Sequence, residues 1–326
     1  MVTAGVYLLL KLKILLIKSY LLSFIILFSL FTILFSGLSG FFQSDIKKII
    51  AFSTSAQLAY MFLAIGLSQE FGFFHLLTHG FFKALLFLLA GVIIHSFLDN
   101  QDIRKFGNII FLSPLSYSYF IVGTLTILSF PFLSGYYSKE IILEFSFINS
   151  FYIYLISLFG TFLTLLYSLK LLYFIYFSNF KSSISLISYF HFTPSYLFII
   201  LFPLVLGSLF LGYIFSDYFI GAGLFIFDFE FIPYYIKLLP TLLLISSTLL
   251  FILYYTFRLN INIFNKLYKY LIQSFSLHLF FDSFVNQIFV SFFSFFGYHF
   301  SFKFIDRGFL EFFILSFFRF LSYFSK

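Results

Sequence analysis

Residues 72–96 of the chain read GFFHLLTHGFFKALLFLLAGVIIHS. This stretch is longer than the ~20 apolar residues that a helix needs to cross the hydrocarbon core of a bilayer. It contains no acidic residue and a single lysine, Lys83, near its middle. The stretch therefore predicts a transmembrane helix with ionisable side chains inside the membrane, a placement that is energetically costly and usually functional.

The rest of the chain has the same character. Of its 326 residues, 62% are hydrophobic and 10% are charged, whereas a soluble domain carries about 25% charged residues. Together with 72–96, the apolar stretches predict an all-α integral membrane protein with about 7–8 transmembrane helices. We place the further spans near 20–42, 49–68, 114–148, 151–177, 196–216 and 235–257, with 2–17 as a possible truncated helix.

The span over 114–148 is longer than one crossing needs, and its pattern is interrupted. Ser129, Phe130 and Pro131 are followed by Ser134 and Gly135, and proline both removes a backbone donor and bends a helix. We therefore predict a discontinuous helix. Half-helices inside a membrane usually face a cavity or an ion path.

Residues 258–326 differ from the spans before them, because Phe-rich runs there alternate with charged residues. An amphipathic helix lying along the membrane fits this segment at least as well as another crossing. We accordingly divide the chain into a membrane bundle over 1–257 and an amphipathic C-terminal segment over 258–326, in which a lateral helix could start.

Charges between the spans assign the two sides of the membrane. If each span crosses once, one side holds eight basic and three acidic residues: Asp45, Lys47, Lys48, Asp99, Asp102, Arg104, Lys105, Lys181, Arg258, Lys266 and Lys269. The other side holds five acidic residues and one basic residue: Glu70, Glu144, Asp217, Asp228, Glu230 and Lys237. The basic side is predicted to face the cytoplasm or matrix. Lys11, Lys13 and Lys18 fall on the opposite side in this scheme.

Composition also excludes several classes of function. The chain has no cysteine, so it can form neither a disulfide framework nor a thiolate metal site. Its Lys and Arg residues are scattered between apolar spans and form no basic stripe, which argues against nucleic acid as a partner. The 61 Phe and 24 Tyr beside no Trp indicate an A/T-rich, organellar genome.

The strongest chemical signal is the row His75, His79 and Lys83. A spacing of four residues turns each side chain only about 40° from the last, so all three lie on one helix face. Imidazole titrates near neutrality and a buried lysine can lose its charge, so the row suits a proton relay. The alternatives are histidines satisfied by neighbouring carbonyls or hydroxyls and a structural ion pair at Lys83. A zinc site at the two histidines is weaker, because zinc needs more ligands.

Other ionisable residues inside the spans give weaker signals. Lys139 and Glu140 follow the predicted break, where an ion-binding group faces a cavity or, alternatively, caps the second half-helix at the surface. Lys170 lies late in its span, so it could belong to the relay or extend to the interface. Glu70 could admit protons from the acidic side or end a solvated loop.

Four motifs together resemble one known family. They are Ser44-Asp45-Ile46-Lys47-Lys48-Ile49-Ile50-Ala51-Phe52-Ser53-Thr54-Ser55-Ala56-Gln57, the stretch 75–87, Gln101-Asp102-Ile103-Arg104-Lys105-Phe106-Gly107 and Gly135-Tyr136-Tyr137-Ser138-Lys139-Glu140. The chain resembles the antiporter-like membrane subunits of respiratory complex I (NADH:ubiquinone oxidoreductase), in particular the C-terminal portion of subunit 5. Large subunits of multisubunit cation/proton antiporters and membrane-bound hydrogenase subunits share these motifs and remain alternatives.

The resemblance implies a function and a location. It implies that His75, His79 and Lys83 form the central relay of a half-channel and that Lys139 and Glu140 are its terminal lysine and acid. The family carries aspartate where this chain has Glu140. The resemblance places the chain in the mitochondrial inner membrane with its basic loops on the matrix side. It implies no catalytic redox site, cofactor or metal on this chain.

The resemblance also implies partners. NAD, FMN, iron–sulfur clusters and ubiquinone are expected in other subunits of the complex, and membrane lipids around the helices. Met1-Val2-Thr3-Ala4-Gly5 matches the interior of a family helix. We therefore expect a separate N-terminal half of subunit 5, encoded by a split gene; a truncated chain would give the same sequence and remains the alternative.

Overall fold

A computed structural model describes residues 2–12, 15–16, 20–179, 194–221, 232–257, 273–276 and 281–324. The helices of the bundle are α1 (Val2–Lys11), α2 (Leu21–Phe42), α3 (Ile46–Leu67), α4 (Gln69–Ser96), α5 (Pro114–Ile127), α6 (Ser134–Asn149), α7 (Phe151–Leu172), α8 (Ser195–Ser216) and α9 (Tyr234–Phe257). A short π-helical turn extends α7 to Phe177, and another extends α8 to Gly221.

The predicted all-α membrane architecture is confirmed. Within the described ranges, seven helices are long and apolar enough to cross a membrane by length and composition: α2, α3, α4, α7, α8, α9 and Val285–Tyr323. The chain divides into two compact units, Met1–Asn262 and Ile263–Lys326. The predicted domain boundary after residue 257 adjoins residues 258–272, which lie outside the described ranges, and it stays a prediction.

The predicted discontinuous helix is confirmed, with α5 ending at Ile127 and α6 beginning at Ser134. Ser129 and Phe132 between them have φ angles of 58° and 70°, a left-handed conformation that non-glycine residues rarely adopt. A Cβ on Gly135 would lie 1.9 Å from the Thr126 carbonyl oxygen. Glycine therefore allows the second half-helix to begin directly against the end of the first.

Two apolar clusters hold the bundle together at opposite ends. One contains the first turns of α3, the last turns of α4 and α7, and parts of α5 and α8. The other contains the last turns of α3, the start of α4, the middle of α6 and the start of α7 and α9. Chain direction places the first cluster at the predicted basic side and the second at the acidic side. The ionisable side chains of the spans lie between them.

The two loops at the basic end that follow α2 and α4 are paired with each other. The Ile46 amide donates to the Gln101 carbonyl at 2.9 Å, and the Ile103 amide donates to the Ser44 carbonyl at 2.9 Å. Arg104 donates to both carboxylate oxygens of Asp102, and these hydrogen bonds lower the pKa of Asp102. The pairing fixes where α3 and α4 start and end relative to each other.

The second unit is helical over 281–324, with α-helical and π-helical turns in alternation. Its large apolar side chains are exposed, Phe312 by 74% and Tyr323 by 82% among them. The predicted orientation of this segment along the membrane stays a prediction. Several charges used to assign the two sides lie outside the described residues: Lys181, Asp228, Glu230, Arg258, Lys266 and Lys269. Lys13 and Lys18, which disagree with the assignment, lie outside them as well.

Candidate functional site

The predicted row on α4 is buried in the centre of the bundle. His75, His79 and Lys83 are exposed by 1%, 5% and 4%, and the ring centroids of the two histidines are 6.1 Å apart. Because the three side chains follow each other at intervals of four residues, they form a line along the helix axis. The structure thus places all three together, as the sequence predicts.

His75 connects the row to two neighbouring helices. Its Nε2 is 3.1 Å from Oε1 of Gln57 on α3, and its Nδ1 is 2.9 Å from Oγ of Ser138 on α6. The Thr78 hydroxyl donates to Ser138 Oγ at 2.9 Å. Ser138 directly precedes Lys139 in α6, so its hydroxyl links the histidine row to the helix that carries the second lysine.

Lys83 donates to the hydroxyl of Ser53 on α3. Among the described residues, no acid lies within ion-pair distance of its ammonium group. A structural ion pair at Lys83, the alternative drawn from the sequence, therefore has no described partner. An ammonium group in this environment is stabilised by a neutral hydroxyl, and a buried charge with only neutral partners is costly.

Lys139 is 2% exposed and lies where the discontinuous helix breaks. Its ammonium donates to Thr164 Oγ1 on α7 at 3.1 Å and to the Ile127 carbonyl at 3.4 Å. Ile127 is the last residue of α5, and the final carbonyls of a helix have no partner within it and carry a partial negative charge. The Tyr60 ring lies 5.3 Å from the same ammonium. The break therefore creates the acceptor that holds Lys139.

Glu140 is 7% exposed, which argues against the alternative that it caps α6 at the membrane surface. Its Oε1 has no hydrogen-bonding partner among the described residues. Glu140 and Lys139 line a small cavity of about 10 Å³ together with Ser129 and Thr161, which is about the smallest cavity that can hold one water molecule. Pro240 of α9 also lines the cavity.

The two remaining candidates, Lys170 and Glu70, lie at opposite ends of the bundle. Lys170 donates to the carbonyls of Phe41 and Gln43 at 2.6 and 2.7 Å, so it caps the C-terminus of α2 near the basic end. Glu70 lies in the first turn of α4 and lines an open groove beside Lys11. Lys11 therefore lies at the acidic end, in the same groove as the Glu70 carboxylate. The relay roles of Lys170 and Glu70 stay predictions.

Sequence reasoning missed the residues that connect the row to its surroundings. Ser53, Gln57 and Tyr60 of α3 are buried to 2% exposure or less, and their spacing of four and three residues lines them along one helix face. That spacing of polar side chains within an apolar span was a usable signal. Ser138 and Thr164 had no such signal, because hydroxyls occur throughout the apolar helices.

A metal site at the row has no support from the surrounding side chains. In the parts of the chain that the structure describes, no group of three or more His, Cys, Asp or Glu residues is placed to hold a metal ion. The ring nitrogens of His75 face Gln57 and Ser138. The arrangement instead offers a series of groups that can accept and donate protons, because hydroxyl and imidazole groups do both.

The family model and the most similar relatives that we compared indicate the same family. Residues 1–166 match the family model described as "NADH:quinone oxidoreductase/Mrp antiporter, TM". The chain is 41% identical to "NADH-ubiquinone oxidoreductase chain 5" of Acanthamoeba castellanii, over 99% of this chain and 51% of that protein. The proteins of the same name from Chondrus crispus and Phytophthora infestans are 35% and 36% identical, over 95% of this chain and 51% and 50% of theirs. The chain spans about half the length of these relatives.

A solved structure shares the fold. A chain from the membrane-bound sulfane sulfur reductase, an archaeal respiratory membrane complex, superposes with a TM-score of 0.55 at 20% sequence identity. The match covers 66% of this chain and 44% of that one.

Proposed function

The chain belongs to the NADH:quinone oxidoreductase/Mrp antiporter family of membrane proteins, and from this premise we propose that it is a proton-translocating subunit of the membrane arm of NADH:ubiquinone oxidoreductase. The observation that carries the proposal is the buried series His75, His79 and Lys83, in which His75 contacts the Ser138 hydroxyl, one residue before the buried Lys139 in α6. Ionisable groups inside a membrane bundle that are lined up and connected by hydroxyls are typical of proton paths.

The geometry suggests the course of the path. Protons travel along the α4 row and associated water, reach α6 through His75 and Ser138, and charge Lys139 at the helix break. Glu140 is next to Lys139 on α6, which ends at the acidic side at Asn149. Release at that side completes a cycle. The hydrogen-bonding partners of Lys83 and Lys139 are neutral hydroxyl and carbonyl groups, so no ion pair within the described residues fixes either charge. In the proposed mechanism, both charge states respond to charge changes elsewhere in the complex.

The names of the relatives support the proposed partners. We place NAD, FMN, iron–sulfur clusters and ubiquinone in other subunits, with no cofactor on this chain. We place this chain in the mitochondrial inner membrane with its basic loops facing the matrix.

Replacement of Lys83 by methionine tests the function. Lys83→Met keeps the length of the side chain and removes its ionisable group, so we expect fewer protons moved per NADH oxidised by the intact complex in vesicles. Lys105→Met is the matched control, because Lys105 is exposed in a loop at the basic end. An unchanged proton-to-NADH ratio in assembled Lys83→Met complex would reject the relay.

The family also includes cation/proton antiporters, which gives a second candidate function. An antiporter subunit exchanges sodium for protons in vesicles without NADH. Mass spectrometry of the proteins that copurify in mild detergent separates the two candidates. Flavin and iron–sulfur subunits support the respiratory complex, whereas antiporter subunits without redox proteins support the exchanger.

A further inference from the structure

Helix α9 packs beside the small cavity at the helix break with one of its faces. Ile236, Pro240 and Leu244 follow each other at intervals of four residues, so they lie along that face. Ile236 belongs to the apolar cluster at the acidic side, and Pro240 lines the cavity. Leu244 packs with Leu128 and Leu165, which line the cavity as well. The helix therefore contacts the bundle at the level of the cavity and on either side of it.

Pro240 interrupts the hydrogen bonding of α9 at this point. Proline has no backbone N–H, so it cannot donate to the carbonyl four residues earlier, which is that of Ile236. The hydroxyl of Tyr154 on α7 donates to this carbonyl at 3.1 Å. Tyr154 and Ile236 are 2% and 4% exposed, and a buried carbonyl without a donor is costly. The tyrosine thus supplies a hydrogen bond where the proline removes one.

A second proline inside a helix shows why the burial of Ile236 matters. Pro203 lies inside α8 and frees the carbonyl of Ile199 in the same way. Ile199 is 73% exposed, whereas Ile236 is enclosed by the cluster at the acidic side. A donor from a neighbouring helix is therefore needed at the proline beside the cavity.

The hydrogen bond from Tyr154 holds the first turn of α9. Ile236 is the third residue of this helix, and it lies about 6 Å from Pro240 along the axis, toward the acidic side. The Tyr154 ring packs edge-on against Phe147 of α6 at 5.5 Å between centroids, which fixes the direction of its hydroxyl. The first turn of α9 thus lies between the acidic side and the cavity, and a single side chain of α7 replaces the helical hydrogen bond that it lacks.

We propose that Tyr154 is a positioning residue that holds the first turn of α9 against the bundle, and that this turn closes the acidic-side end of the cavity at Lys139 and Glu140. Because Pro240 weakens the joint between this turn and the rest of α9, the turn opens when the hydroxyl releases the Ile236 carbonyl and closes when it returns. Opening connects the cavity to the acidic side, where the proposed path releases its protons. This inference rests on the proposed relay function.

Replacement of Tyr154 by phenylalanine in the intact complex tests the closure. Tyr154→Phe keeps the ring and removes only the donor to Ile236. We expect amide hydrogen exchange over residues 234–245 to become about 2- to 10-fold faster, the range that loss of one neutral hydrogen bond gives. We also expect fewer protons moved per NADH oxidised, because the open cavity lets protons return. Tyr152→Phe is the matched control, since Tyr152 is 79% exposed in the same turn of α7.

Replacement of Pro240 by alanine tests whether the hydroxyl substitutes for the missing amide. Pro240→Ala returns a backbone N–H that can donate to Ile236, so Tyr154→Phe should accelerate exchange less in this background than in the wild type. Pro203→Ala is the control background and should leave the effect of Tyr154→Phe unchanged. An equal effect of Tyr154→Phe in all three backgrounds would overturn the inference, as would exchange in Tyr154→Phe that equals exchange in Tyr152→Phe.

The two measurements separate the closure from the relay. Faster exchange with an unchanged proton-to-NADH ratio in Tyr154→Phe would overturn the closure and leave the relay standing. An unchanged ratio in assembled Lys139→Met complex would instead overturn the relay, whereas hydrogen exchange would still report how α9 is held. If Tyr154→Phe does not assemble, the double variant with Pro240→Ala takes its place. Restored assembly of the double variant supports the inference, and continued failure to assemble overturns it.

Discussion

Lys139 is held by a carbonyl, a hydroxyl and an aromatic ring, and by no carboxylate within ion-pair distance among the described residues. The hydroxyl of Thr164 donates its own proton to the Thr161 carbonyl at 2.7 Å. Its oxygen is therefore free to accept from the lysine. Thr164 and the C-terminal carbonyl of α5 together stabilise a charge that the apolar surroundings alone would not.

Replacing Thr164 by valine should weaken this site. Thr164→Val keeps the shape of the side chain and removes the acceptor at 3.1 Å, and a buried donor that loses its partner costs about 1–3 kcal/mol. We expect a lower thermal midpoint of the purified complex and slower proton uptake. Thr241→Val is the control, because Thr241 is a half-buried helical threonine whose hydroxyl bonds to the Leu238 carbonyl of its own helix, at an exposed position. Equal effects of both substitutions would show that Thr164 holds no special position.

The Asp102–Arg104 pair predicts a pH dependence at the basic surface. Hydrogen bonds from Arg104 lower the pKa of folded Asp102 below its unfolded value, so the pair stabilises the fold above the unfolded pKa and loses this effect as pH falls through the folded pKa. Asp102→Asn should therefore lower the thermal midpoint at neutral pH and lose this difference in acid. The effect should stay below about 1 kcal/mol, since Arg104 is 67% exposed. A difference that grows in acid contradicts the pairing.

At the level of helices, the sequence predicted the spans and the break because both depend on local properties. Apolar length marks a crossing, and Pro131 with Gly135 marks the interruption. The contacts of α3 could not be predicted in the same way. Ser53, Gln57 and Tyr60 share a face, but only the packing of α3 against α4, α6 and α7 shows which groups they meet. The capping of α2 by Lys170 likewise depends on tertiary contact.

The start of α6 offers a test of the break itself. Gly135→Ala would place a methyl group where the Thr126 carbonyl oxygen is 1.9 Å away, so α5 and α6 must separate and Lys139 must move from the Ile127 carbonyl. We expect poor assembly or, in assembled complex, strongly reduced pumping. Gly91→Ala is the matched control in α4. It has open space around the added carbon and should stabilise its helix by up to about 1 kcal/mol. Similar behaviour of the two variants would show that the close approach at Gly135 is unimportant.

For the whole molecule, the sequence predicted where the relay candidates lie more completely than it predicted how the chain is oriented in the membrane. All five principal relay candidates lie buried between the two apolar clusters, because ionisable groups inside apolar spans have few other places to be. Which side of the membrane each loop faces depends on charge bias alone, and some of those charges lie outside the described residues.

The absence of cysteine from the chain makes the orientation directly measurable. Lys105→Cys and Asn149→Cys each introduce one thiol at an exposed position, the first in the loop after α4 and the second at the end of α6. The discontinuous pair α5–α6 separates them by one crossing, so a membrane-impermeant maleimide should modify only one variant in sealed vesicles of a single orientation. In mitoplasts with an intact inner membrane, the thiol at position 149 should react with the maleimide. The thiol at position 105 should react only after the membrane is opened. Each reaction is measured as a mass shift of this chain. Reaction of both thiols from the same side would mean that α5 and α6 do not jointly cross, and the reverse pattern would place the basic loops outside the matrix.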